Sequence, residues 1–575
     1  MKIYLFFFAF TFFCILLNAQ PPTLQWAKKF GGTGNDESNS VAVDASGNVY
    51  TAGRFNDNVD FDPGPGAYFM TANTGYDIFV SKLDAAGNFI WAKQFGASPT
   101  GNCNSITVDA VGNVYITGIF TTVANFISGP CIGTYTLAGN GQHDFFVTKL
   151  NSSGCCIWTK SFGSLGDDFA YSIAVDGSGN VYTTGTFQGP VDFDPGPGTY
   201  SLVCSFAVSS AFVSKLDASG NFVWAKNLGG LGCTDFAYSI AVDGSSNVFT
   251  TGYFAGTVDL DPGPGVYTVS SVGSADIFVS KLDVSGNFVW AKSMGGTNID
   301  EAYSITVDGG GNVYTTGFFW ATADFDPGLG TYTLTSAGNE DIFISKLDAS
   351  GNFVWAKSFG EKYNDWGRSI TLDIAGNVYT TGHFQDTCDF DPGVGTSNLI
   401  STGSYYCIFI SKLDALGNFV WAEGMGGTDF DEGFSIAVDG SNNVYTTGYF
   451  GSTVDFDPGP GIYNLSSAGT FLTPDVFVHK MCQTSCPLEI KENIYLEKFN
   501  IYPNPNSGVF NLRIENEIEN GEIILFNSVG QQIHEQKIKQ GVNTISIGGL
   551  AKGFYNYIIK EDKKKLNIGK LTIEQ

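Results

Sequence analysis

The stretch YSIAVDGSSNVFTTGYFAGTVDLDPGPGVYTVSSVGSADIFVSKLDVSGNFVWAKSM, from Tyr238 to Met294, decides the fold. DGSSN and DVSGN, at 243–247 and 283–287, are typical of hairpin turns, because Asp caps backbone donors and Gly or Asn adopts the left-handed conformation. Around these turns the composition predicts four strands, which should form an antiparallel meander. The predicted strands are Ser239–Asp243, Val248–Phe254, Asp276–Asp283 and Phe288–Met294.

The same pattern repeats along most of the chain, and Trp marks each copy. The spacing between successive Trp residues is 65 to 67 positions, and each is followed by Ala or Thr and usually Lys. The seven positions are Trp26, Trp91, Trp158, Trp224, Trp290, Trp355 and Trp421. Since a four-stranded meander of this size is typical of a propeller blade, the sequence predicts an all-β fold, a seven-bladed β-propeller with four-stranded blades.

The two ends of the repeat region are complementary. The chain begins with an isolated fourth strand, Leu24-Gln-Trp-Ala-Lys28, and the seventh unit ends at Lys480 after its third strand. Pairing of the N-terminal strand with the last blade would close the circle and remove exposed sheet edges. We therefore expect the two termini of the repeat region to complete one blade together.

The repeat consensus resembles a known family. DIFVSKLD, GNFVWAK, SIAVD and GNVYTTG are similar to the bacterial SBBP-type β-propeller repeats over residues 24 to 481. The resemblance implies a propeller in an extracellular setting, without implying one particular activity.

Residues beyond Cys486 have a different pattern. Alternation in Val509–Ile514, Glu522–Phe526 and Thr544–Ile547 predicts a small antiparallel sandwich. The segments YPNP, FNSVGQ, LAKGFY and KLTI, beginning at 502, 526, 550 and 570, resemble the type A sorting domain of the type IX secretion system. This resemblance implies the type IX secretion machinery as a partner through residues 499–575. The alternative is an adhesive or immunoglobulin-like module that the mature protein retains.

The N-terminus has the features of a secretory signal peptide: Lys2, the apolar run Ile3–Leu17 and the exit Asn18-Ala19-Gln20. No later run reaches 18 consecutive apolar residues, so we expect no transmembrane segment in the mature chain. The predicted organisation is a signal peptide at 1–19, a seven-bladed propeller at 20–481, a linker at 482–498 and a secretion domain at 499–575. With both export signals, the expected location is extracellular or the outer-membrane surface.

The net charge of −27 belongs to the repeats, because acids and bases balance from Met481 onward. An acidic surface argues against nucleic acid as a partner. Cysteines fall at non-equivalent places in the repeat, so they are no inherited disulfide framework. In an oxidising compartment the nearest candidates for pairing are Cys482 with Cys486 and Cys388 with Cys407.

Acidic residues cluster in two connections of the blade that a meander places on one face. The first connection carries Asp pairs: Asp60 and Asp62, Asp192 and Asp194, Asp259 and Asp261, Asp324 and Asp326, Asp389 and Asp391, and Asp455 and Asp457. The second carries a single Asp four residues before a Ser: Asp36, Asp168, Asp235, Asp300, Asp365 and Asp431. The second blade has Asn125, Ile127 and Gly101 at the three corresponding positions.

Two interpretations of these acids stay open. Two carboxylates, a third from the neighbouring loop and exposed carbonyls would suit Ca²⁺, which takes six to eight oxygen ligands. Alternatively, the carboxylates cap backbone donors in Pro-Gly turns, which is the commoner role of Asp beside Pro-Gly. Calcium is the one cofactor that the sequence suggests.

No catalytic set is evident, so we expect no enzyme. The four histidines lie on different blades or domains, and six near-copies of an Asp pair are typical of architecture. Trp320 and Trp366 break the repeat and could stack on a sugar, although such residues more often fill a gap between blades.

We expect a non-enzymatic module that binds a surface protein or polysaccharide through the acidic face. Two alternatives are a polysaccharide hydrolase or lyase with its site at the propeller axis, and a structural component of a surface layer or an adhesin.

Overall fold

The structure is a computed structural model, and its described residues fall into two units. They are 21–73, 75–126, 135–205, 208–229, 234–401, 405–469, 473–483, 499–504, 507–514, 520–527, 531–548, 551–561 and 564–573. Contacts divide the chain into residues 1–484 and 485–575. All regular secondary structure in the described residues is β-strand. Within these residues no helix is long and apolar enough to span a membrane. The predicted signal peptide at 1–19 lies outside the described residues.

The N-terminal unit, residues 1–484, is a series of four-stranded antiparallel meanders, as the sequence pattern predicts, and short pairings join some of them into larger sheets. We name the strands of each sheet inner, second, third and outer, in the order in which they pair. The inner strands are Glu37–Val43, Gly101–Val108, Phe169–Val175, Asp235–Val242, Asp300–Val307, Trp366–Leu372 and Glu432–Val438. The second strands are Val49–Phe55, Val114–Phe120, Val181–Phe187, Val248–Phe254, Val313–Asp324, Val378–Phe384 and Val444–Phe450.

The third and outer strands complete these sheets. The third strands are Asp77–Leu83, Asp144–Leu150, Ser210–Leu216, Asp276–Leu282, Thr333–Leu347, Cys407–Leu413 and Asp475–Cys482. The outer strands, which carry the repeated Trp, are Phe89–Ser98, Cys156–Phe162, Phe222–Asn227, Phe288–Gly296, Phe353–Phe359, Phe419–Met425 and Thr23–Phe30.

The hairpin turns have the geometry that their sequences predict. Asp243 Oδ1 accepts hydrogen bonds from the amides of Ser245 and Asn247, both at 2.9 Å. Ser246 has a φ of 61° and Gly286, at the equivalent place in the next turn, a φ of 76°. Both turns are therefore closed by a side-chain cap and one left-handed residue.

The N-terminal strand completes the last sheet. Thr23–Phe30 pairs antiparallel with Asp475–Cys482, the third strand of the unit that ends the repeats. This confirms the prediction that the two termini of the repeat region form one blade together. The indole nitrogen of Trp26 also donates to the carbonyl of Ala85 in the first unit, at 3.2 Å.

A serine joins each inner strand to the next one. Every inner strand changes register just before this serine, and the serine hydroxyl then accepts a bond from the amide of the neighbouring inner strand. The donors and acceptors are Ile106 to Ser40, Ile173 to Ser105, Ile240 to Ser172, Ile305 to Ser239, Ile370 to Ser304, Ile436 to Ser369 and Val41 to Ser435. The last of these bonds links the seventh inner strand to the first.

The hydrophobic core lies between adjacent sheets. One cluster combines Trp26 and Phe30 of the outer strand with Phe55, Phe79 and Tyr445 from sheets on both sides. The tryptophans reach across this junction, because their indole nitrogens donate to a turn of the next unit in Trp91, Trp158, Trp224 and Trp290 as well. The regular spacing of Trp therefore reflects a contact that recurs between neighbouring units.

The Asp-Pro-Gly connection forms an additional small hairpin that the sequence did not predict. Its paired strands are Asn58–Asp60 with Phe69–Thr71, Val123–Asn125 with Thr136–Ala138, Pro190–Asp192 with Ser201–Val203, Thr257–Asp259 with Thr268–Ser270, Thr387–Asp389 with Asn398–Ile400, and Thr453–Asp455 with Asn464–Ser466. In the fifth unit the same hairpin is continuous with the long second and third strands, and Asp324 pairs with Thr333.

The C-terminal unit, residues 485–575, contains two antiparallel sheets around one core. The first sheet contains Phe499–Tyr502, Val509–Ile514 and Gly541–Ser546. The second contains Gln532–Ile538, Gly521–Phe526, Gly553–Glu561 and Lys564–Ile573. Leu512 of the first sheet and Leu525 and Ile559 of the second are fully buried in the shared core. This arrangement agrees with the predicted small sandwich.

One of the two predicted disulfides is wrong. Cys388 and Cys407 are both thiols, buried in the core of the sixth unit. Cys482 is in a disulfide, and Cys486, its predicted partner, lies outside the described residues.

Candidate binding site at the centre of the repeats

In six of the seven repeats the single acid at the start of the inner strand is buried, and it joins two loops. Asp365 illustrates the arrangement: one carboxylate oxygen accepts from the amide of Glu361, at 3.1 Å, and the other from the amide of Gln385, at 2.9 Å. Asp36, Asp168, Asp300 and Asp431 bind the equivalent pairs of amides, and Asp235 is equally buried. These carboxylates therefore hold the fourth-to-first and second-to-third connections together.

The paired acids act within their own hairpin. Asp259 Oδ1 accepts from the amides of Asp261 and Tyr267, at 3.1 and 2.8 Å, and Asp261 Oδ1 accepts from the amide of Gly263 at 2.8 Å. The other complete copies of the pair, at 60 and 62, 192 and 194, 324 and 326, 389 and 391, and 455 and 457, make the same three bonds. The repeated carboxylates are turn caps.

The structure does not bring these acids together in the manner of a calcium site. Within the described residues, no three His, Cys, Asp or Glu side chains are grouped so that they could hold a metal ion. Amide donors point at the carboxylates, which fits capping better than ligation of a cation. In the second unit Asn125 accepts from the hydroxyl of Thr136, and Ile127 lies outside the described residues. The calcium site stays a prediction for solution tests.

A different set of side chains meets where the inner strands meet. Inner strands of neighbouring units contact one another all along the series. In each, the residue directly after the buried-acid position and the residue two further on flank a small buried residue. We call these side chains the central wall: Glu37 and Asn39, Asn102 and Asn104, Phe169 and Tyr171, Phe236 and Tyr238, Glu301 and Tyr303, Trp366 and Arg368, and Glu432 and Phe434. All are partly exposed except Glu432, which is buried.

Half of the central wall is aromatic. The ring centroids of Tyr171 and Tyr238 are 5.2 Å apart, those of Tyr238 and Tyr303 also 5.2 Å, and those of Tyr303 and Trp366 5.9 Å. Phe236 packs beside Tyr238 at 5.9 Å. Aromatic side chains from four consecutive units thus form one continuous, partly exposed surface.

The other half of the central wall is polar and charged. Glu37 pairs with Arg54 of the second strand at 2.8 Å, and the side-chain amide of Asn39 donates to Asn102 at 2.8 Å. Arg368 is 3.4 Å from Glu432 and lies 4.5 Å above the ring of Trp366. Arg368 therefore joins the charged half to the aromatic half.

Two glutamates of the wall have pKa values shifted in opposite directions. Burial raises the pKa of Glu301 to about 7, with a further contribution from Glu340, while Tyr303 and Arg368 oppose the change. Burial also acts against ionisation of Glu432, but His383, Arg368 and the hydroxyl of Tyr449 lower its pKa. Glu432 is therefore a carboxylate at neutral pH, whereas Glu301 is close to half protonated.

A cavity of about 190 Å³ adjoins the charged half. It lies between the first and the last units and is lined by Glu37, Phe430, Tyr449, Asp429 and Pro474, among others. Since Tyr449 also bonds to Glu432, the cavity is continuous with the hydrogen-bonding groups of the wall. A small polar ligand could reach both.

Sequence analysis singled out one member of this site and missed the others. Trp366 belongs to the central wall, whereas Trp320 is 41% exposed on the hairpin of the fifth unit. His383 is buried 3.5 Å from Glu432. A signal was present in the two positions that flank the small buried residue, because they read EN, NN, FY, FY, EY, WR and EF while neighbouring positions repeat.

Two family models match the chain. The β-propeller repeat model matches residues 25–58, 90–118, 157–186, 223–253 and 354–383, and the secretion system C-terminal sorting domain matches residues 500–574. The chain therefore carries β-propeller repeats and a C-terminal sorting domain, which confirms both resemblances. A sorting domain of this kind implies export by type IX secretion to the cell surface or the exterior.

Curated relatives are distant and longer. The chain is 25% identical over 449 residues to an uncharacterized WD repeat-containing protein of Acanthamoeba polyphaga mimivirus, covering 67% of this chain and 32% of that protein. It is 22% identical over 260 residues to the regulatory protein FlaEY of Caulobacter vibrioides, covering 45% of this chain and 24% of that protein. The chain thus spans about a third or less of these relatives.

Solved structures with similarity include PorZ, described as an essential bacterial surface component of the type IX secretion system of Porphyromonas gingivalis. The identity is 12%, the coverage 94% of this chain and 81% of that chain, and the TM-score 0.22. A member of the duf4221 family from Bacteroides vulgatus has 10% identity, covers 63% of this chain and 91% of its own, and has a TM-score of 0.27. At such TM-scores neither structure supports an inference about this chain.

Proposed function

We propose that the repeats close into one seven-bladed β-propeller. Three observations support closure: the pairing of Thr23–Phe30 with Asp475–Cys482, the indole bond from Trp26 to Ala85, and the seven serine bonds between inner strands. The bond from Val41 to Ser435 returns this series to its start. An open stack of units would leave that bond unmade.

We further propose that the exported propeller binds a carbohydrate at the central wall and does not turn it over. The observation that carries this proposal is the continuous aromatic surface from Tyr171 to Trp366 beside polar groups. Sugars present apolar C–H faces that pack on aromatic rings and hydroxyls that need hydrogen-bond partners, and this wall offers both. We place the binding site at the central wall and not at the acidic face that the sequence predicted, because the repeated acids of that face cap turns.

Binding of the purified chain to an array of glycans, followed by calorimetry on the strongest ligand, tests this function. Tyr238→Ala should weaken binding at least tenfold, because Tyr238 lies in the middle of the aromatic surface. Tyr267→Ala is the matched control, since Tyr267 is an exposed tyrosine on a hairpin of the same unit. Equal loss in both variants, or no glycan bound by the parent chain, would contradict the proposal.

The alternative function is polysaccharide cleavage at the same place. A raised pKa at Glu301 and a lowered pKa at Glu432 are what a general acid and an ionised partner carboxylate require. Turnover of the bound glycan that disappears in both Glu301→Gln and Glu432→Gln would establish an enzyme. Binding without released product after prolonged incubation would support a binding module.

The location of the protein distinguishes a structural role at the cell surface from the role of a released binding protein. Fractionation of the producing cells into medium and outer membrane, with the C-terminal domain followed by antibody, distinguishes a released binding protein from a fixed component. We expect the propeller outside the cell in either case, because the sorting domain implies export.

A further inference from the structure

The cavity between the first and the last units lies where the seventh unit departs from the repeat. The position directly after the second strand is Gly451 in this unit, and the other units carry a side chain there: Asn56, Thr121, Gln188, Ala255, Trp320 and Gln385. A Cβ atom at Gly451 would lie 2.8 Å from the carboxyl group of Asp429, and both residues line the cavity. A side chain at this position would therefore take up space that the seventh unit leaves open.

Polar groups of the cavity are available to a ligand. The side-chain amide of Asn35 makes no hydrogen bond to any described residue, so it keeps both donor and acceptor capacity. Glu37 is held in place by Arg54, which donates to its two carboxylate oxygens at 3.1 and 2.9 Å. Because a carboxylate has about four lone-pair sites, Glu37 can still accept a hydroxyl group. A ligand with several hydroxyls would find both donors and acceptors here.

Two aromatic rings complete the lining. Phe430 and Tyr449 are both partly exposed side chains of the cavity. Phe430 packs against Tyr405 and Tyr406, whose ring centroids are 4.7 and 5.5 Å away, and these contacts fix its position. Aromatic carbon beside hydrogen-bonding groups is what a sugar needs, because it has both apolar C–H groups and hydroxyls.

Size and charge narrow the class of ligand further. The cavity has a volume of about 190 Å³, below the roughly 300 Å³ at which pockets for drug-sized ligands begin. It suits one sugar ring, so a longer glycan would extend out of it. Among the described residues that line it, Glu37 and Asp429 are acids and none is cationic, and Arg54 is already bonded to Glu37. An acidic sugar would therefore meet carboxylates without a free cation to receive it.

Contacts between side chains connect the cavity with the aromatic half of the central wall. Glu37 belongs to both the cavity and the wall. The ring of Tyr449 lies 5.5 Å from the ring of Phe434, which is also part of the wall. The guanidinium group of Arg368 lies 5.5 Å from the ring of Phe434 and 4.5 Å from that of Trp366. A glycan that packs on Trp366 can therefore reach the cavity with its end.

We propose that this cavity receives the free terminal residue of the glycan, and that this residue is a neutral monosaccharide. The proposal rests on the proposed carbohydrate-binding function, because the remainder of the glycan would lie on the central wall. It names the part of the ligand that is recognised, a chain end whose hydroxyls bind Asn35 and Glu37. The protein then selects glycan ends over internal stretches and neutral sugars over acidic ones.

The first experiment measures binding of single sugars to the whole chain by ligand-observed NMR. The neutral probes are glucose, galactose, mannose, fucose and N-acetylglucosamine, and the acidic probes are glucuronate and galacturonate. At least one neutral probe should bind with a dissociation constant of about 1 to 10 mM, since so small a ligand makes few contacts. Both acidic probes should bind at least about fivefold more weakly than the best neutral probe, because like charges meet in the cavity.

Variants locate this binding in the cavity. Asn35→Ala should weaken binding of the best neutral probe about fivefold, because hydrogen bonds to the sugar are lost. Asn364→Ala is the matched control: Asn364 directly precedes the equivalent buried acid of the sixth unit and does not line the cavity, so binding should be unchanged. Gly451→Gln, which introduces the residue of the third and sixth units, should abolish binding. Melting curves identify any variant that fails to fold, and Asn35→Ala tests the cavity independently of Gly451→Gln.

The second experiment asks whether the cavity holds a chain end. Its ligand is the glycan that binds most strongly on an array on which glycans are attached through the reducing end. Calorimetry compares this glycan with a form that carries a bulky acetal on the non-reducing terminal residue. The acetal should weaken binding about tenfold, because the blocked residue no longer enters the cavity. The best neutral monosaccharide should compete with the unblocked glycan.

The outcomes separate this proposal from the function on which it rests. Binding of no single sugar, equal binding of acidic and neutral probes, or unchanged binding in Asn35→Ala overturns the cavity site, and the carbohydrate function stands if the array glycan still binds. A blocked glycan that binds as tightly as the unblocked one overturns recognition of the chain end. Binding of a single sugar in the cavity without binding of any array glycan supports the cavity site and overturns the function of the wall.

Discussion

The Asp-Pro-Gly hairpins and the central wall differ in how closely their residues are repeated from unit to unit. The hairpins use the same carboxylates in unit after unit, and those carboxylates make the same bonds to backbone amides. The central wall occupies equivalent backbone positions, yet it changes from Glu37 and Asn39 to Phe236 and Tyr238 and then to Trp366 and Arg368. Residues that recur serve the fold, and residues that break the repeat form the asymmetric surface of the central wall.

This difference explains why the acids are poor candidates for a site. The paired carboxylates accept amides of their own hairpin through Oδ1, whereas the rings of the wall are partly exposed side chains from several units. A site for one ligand also needs an asymmetric set of groups, which identical units cannot supply. The following predictions test the contrast, beginning with the largest effect.

Asp365→Ala should destabilise the chain by about 3 kcal/mol, because two amides lose a buried acceptor. Asp391→Ala, at an exposed turn, should cost at most about 1 kcal/mol. Denaturant unfolding measures both. Similar losses in the two variants would show that burial of the repeated acids has no special structural role.

Stability should fall as pH rises from 5 to 8. Burial raises the pKa of Asp300, Asp365 and Asp431 to about 7, above the value near 3.9 of an unfolded chain. The folded state therefore holds protons that the unfolded state releases, and this stabilisation is lost as pH passes through the folded pKa values. Melting temperatures at pH 5, 6.5 and 8 check the sign, and Asp365→Asn should have a shallower slope. A profile that rises with pH would refute the assignment.

Trp366→Ala should weaken glycan binding about tenfold, or about 1.4 kcal/mol, with a smaller effect on melting. Trp320→Ala is the control, because Trp320 is 41% exposed on the hairpin of the fifth unit, outside the wall. Calorimetry with the glycan found on the array measures both. A larger loss in the Trp320 variant would move the site to the hairpins.

Calcium should change the melting temperature by less than about 1 °C relative to a chelator. Ligation would stabilise the folded chain by mass action, and the repeated carboxylates are already committed to amides. A larger increase that disappears in Asp259→Asn would restore the calcium interpretation of the hairpins.

Local and repeated features were predictable from sequence. The turn at 243–247, the strand at Val248–Phe254 and the sandwich strand at Val509–Ile514 follow from capping residues, left-handed positions and alternation, which depend on near neighbours. Completion of the last sheet by Thr23–Phe30 was also predictable, since two partial units imply one whole. The Asp-Pro-Gly hairpin was missed, because Pro and Gly obscure its short paired strands.

Sequence by itself determined the repeat, the order of strands in each unit and the change of domain before residue 499, because these are encoded within each stretch of about 66 residues. Tertiary structure alone decided which residues meet at the centre. Glu301, Arg368 and Glu432 are each separated by more than 60 residues, and only the side-by-side packing of inner strands brings them together. It also decided that the single buried acids join two connections, since the amides that Asp365 accepts, from Glu361 and Gln385, belong to different connections of the unit.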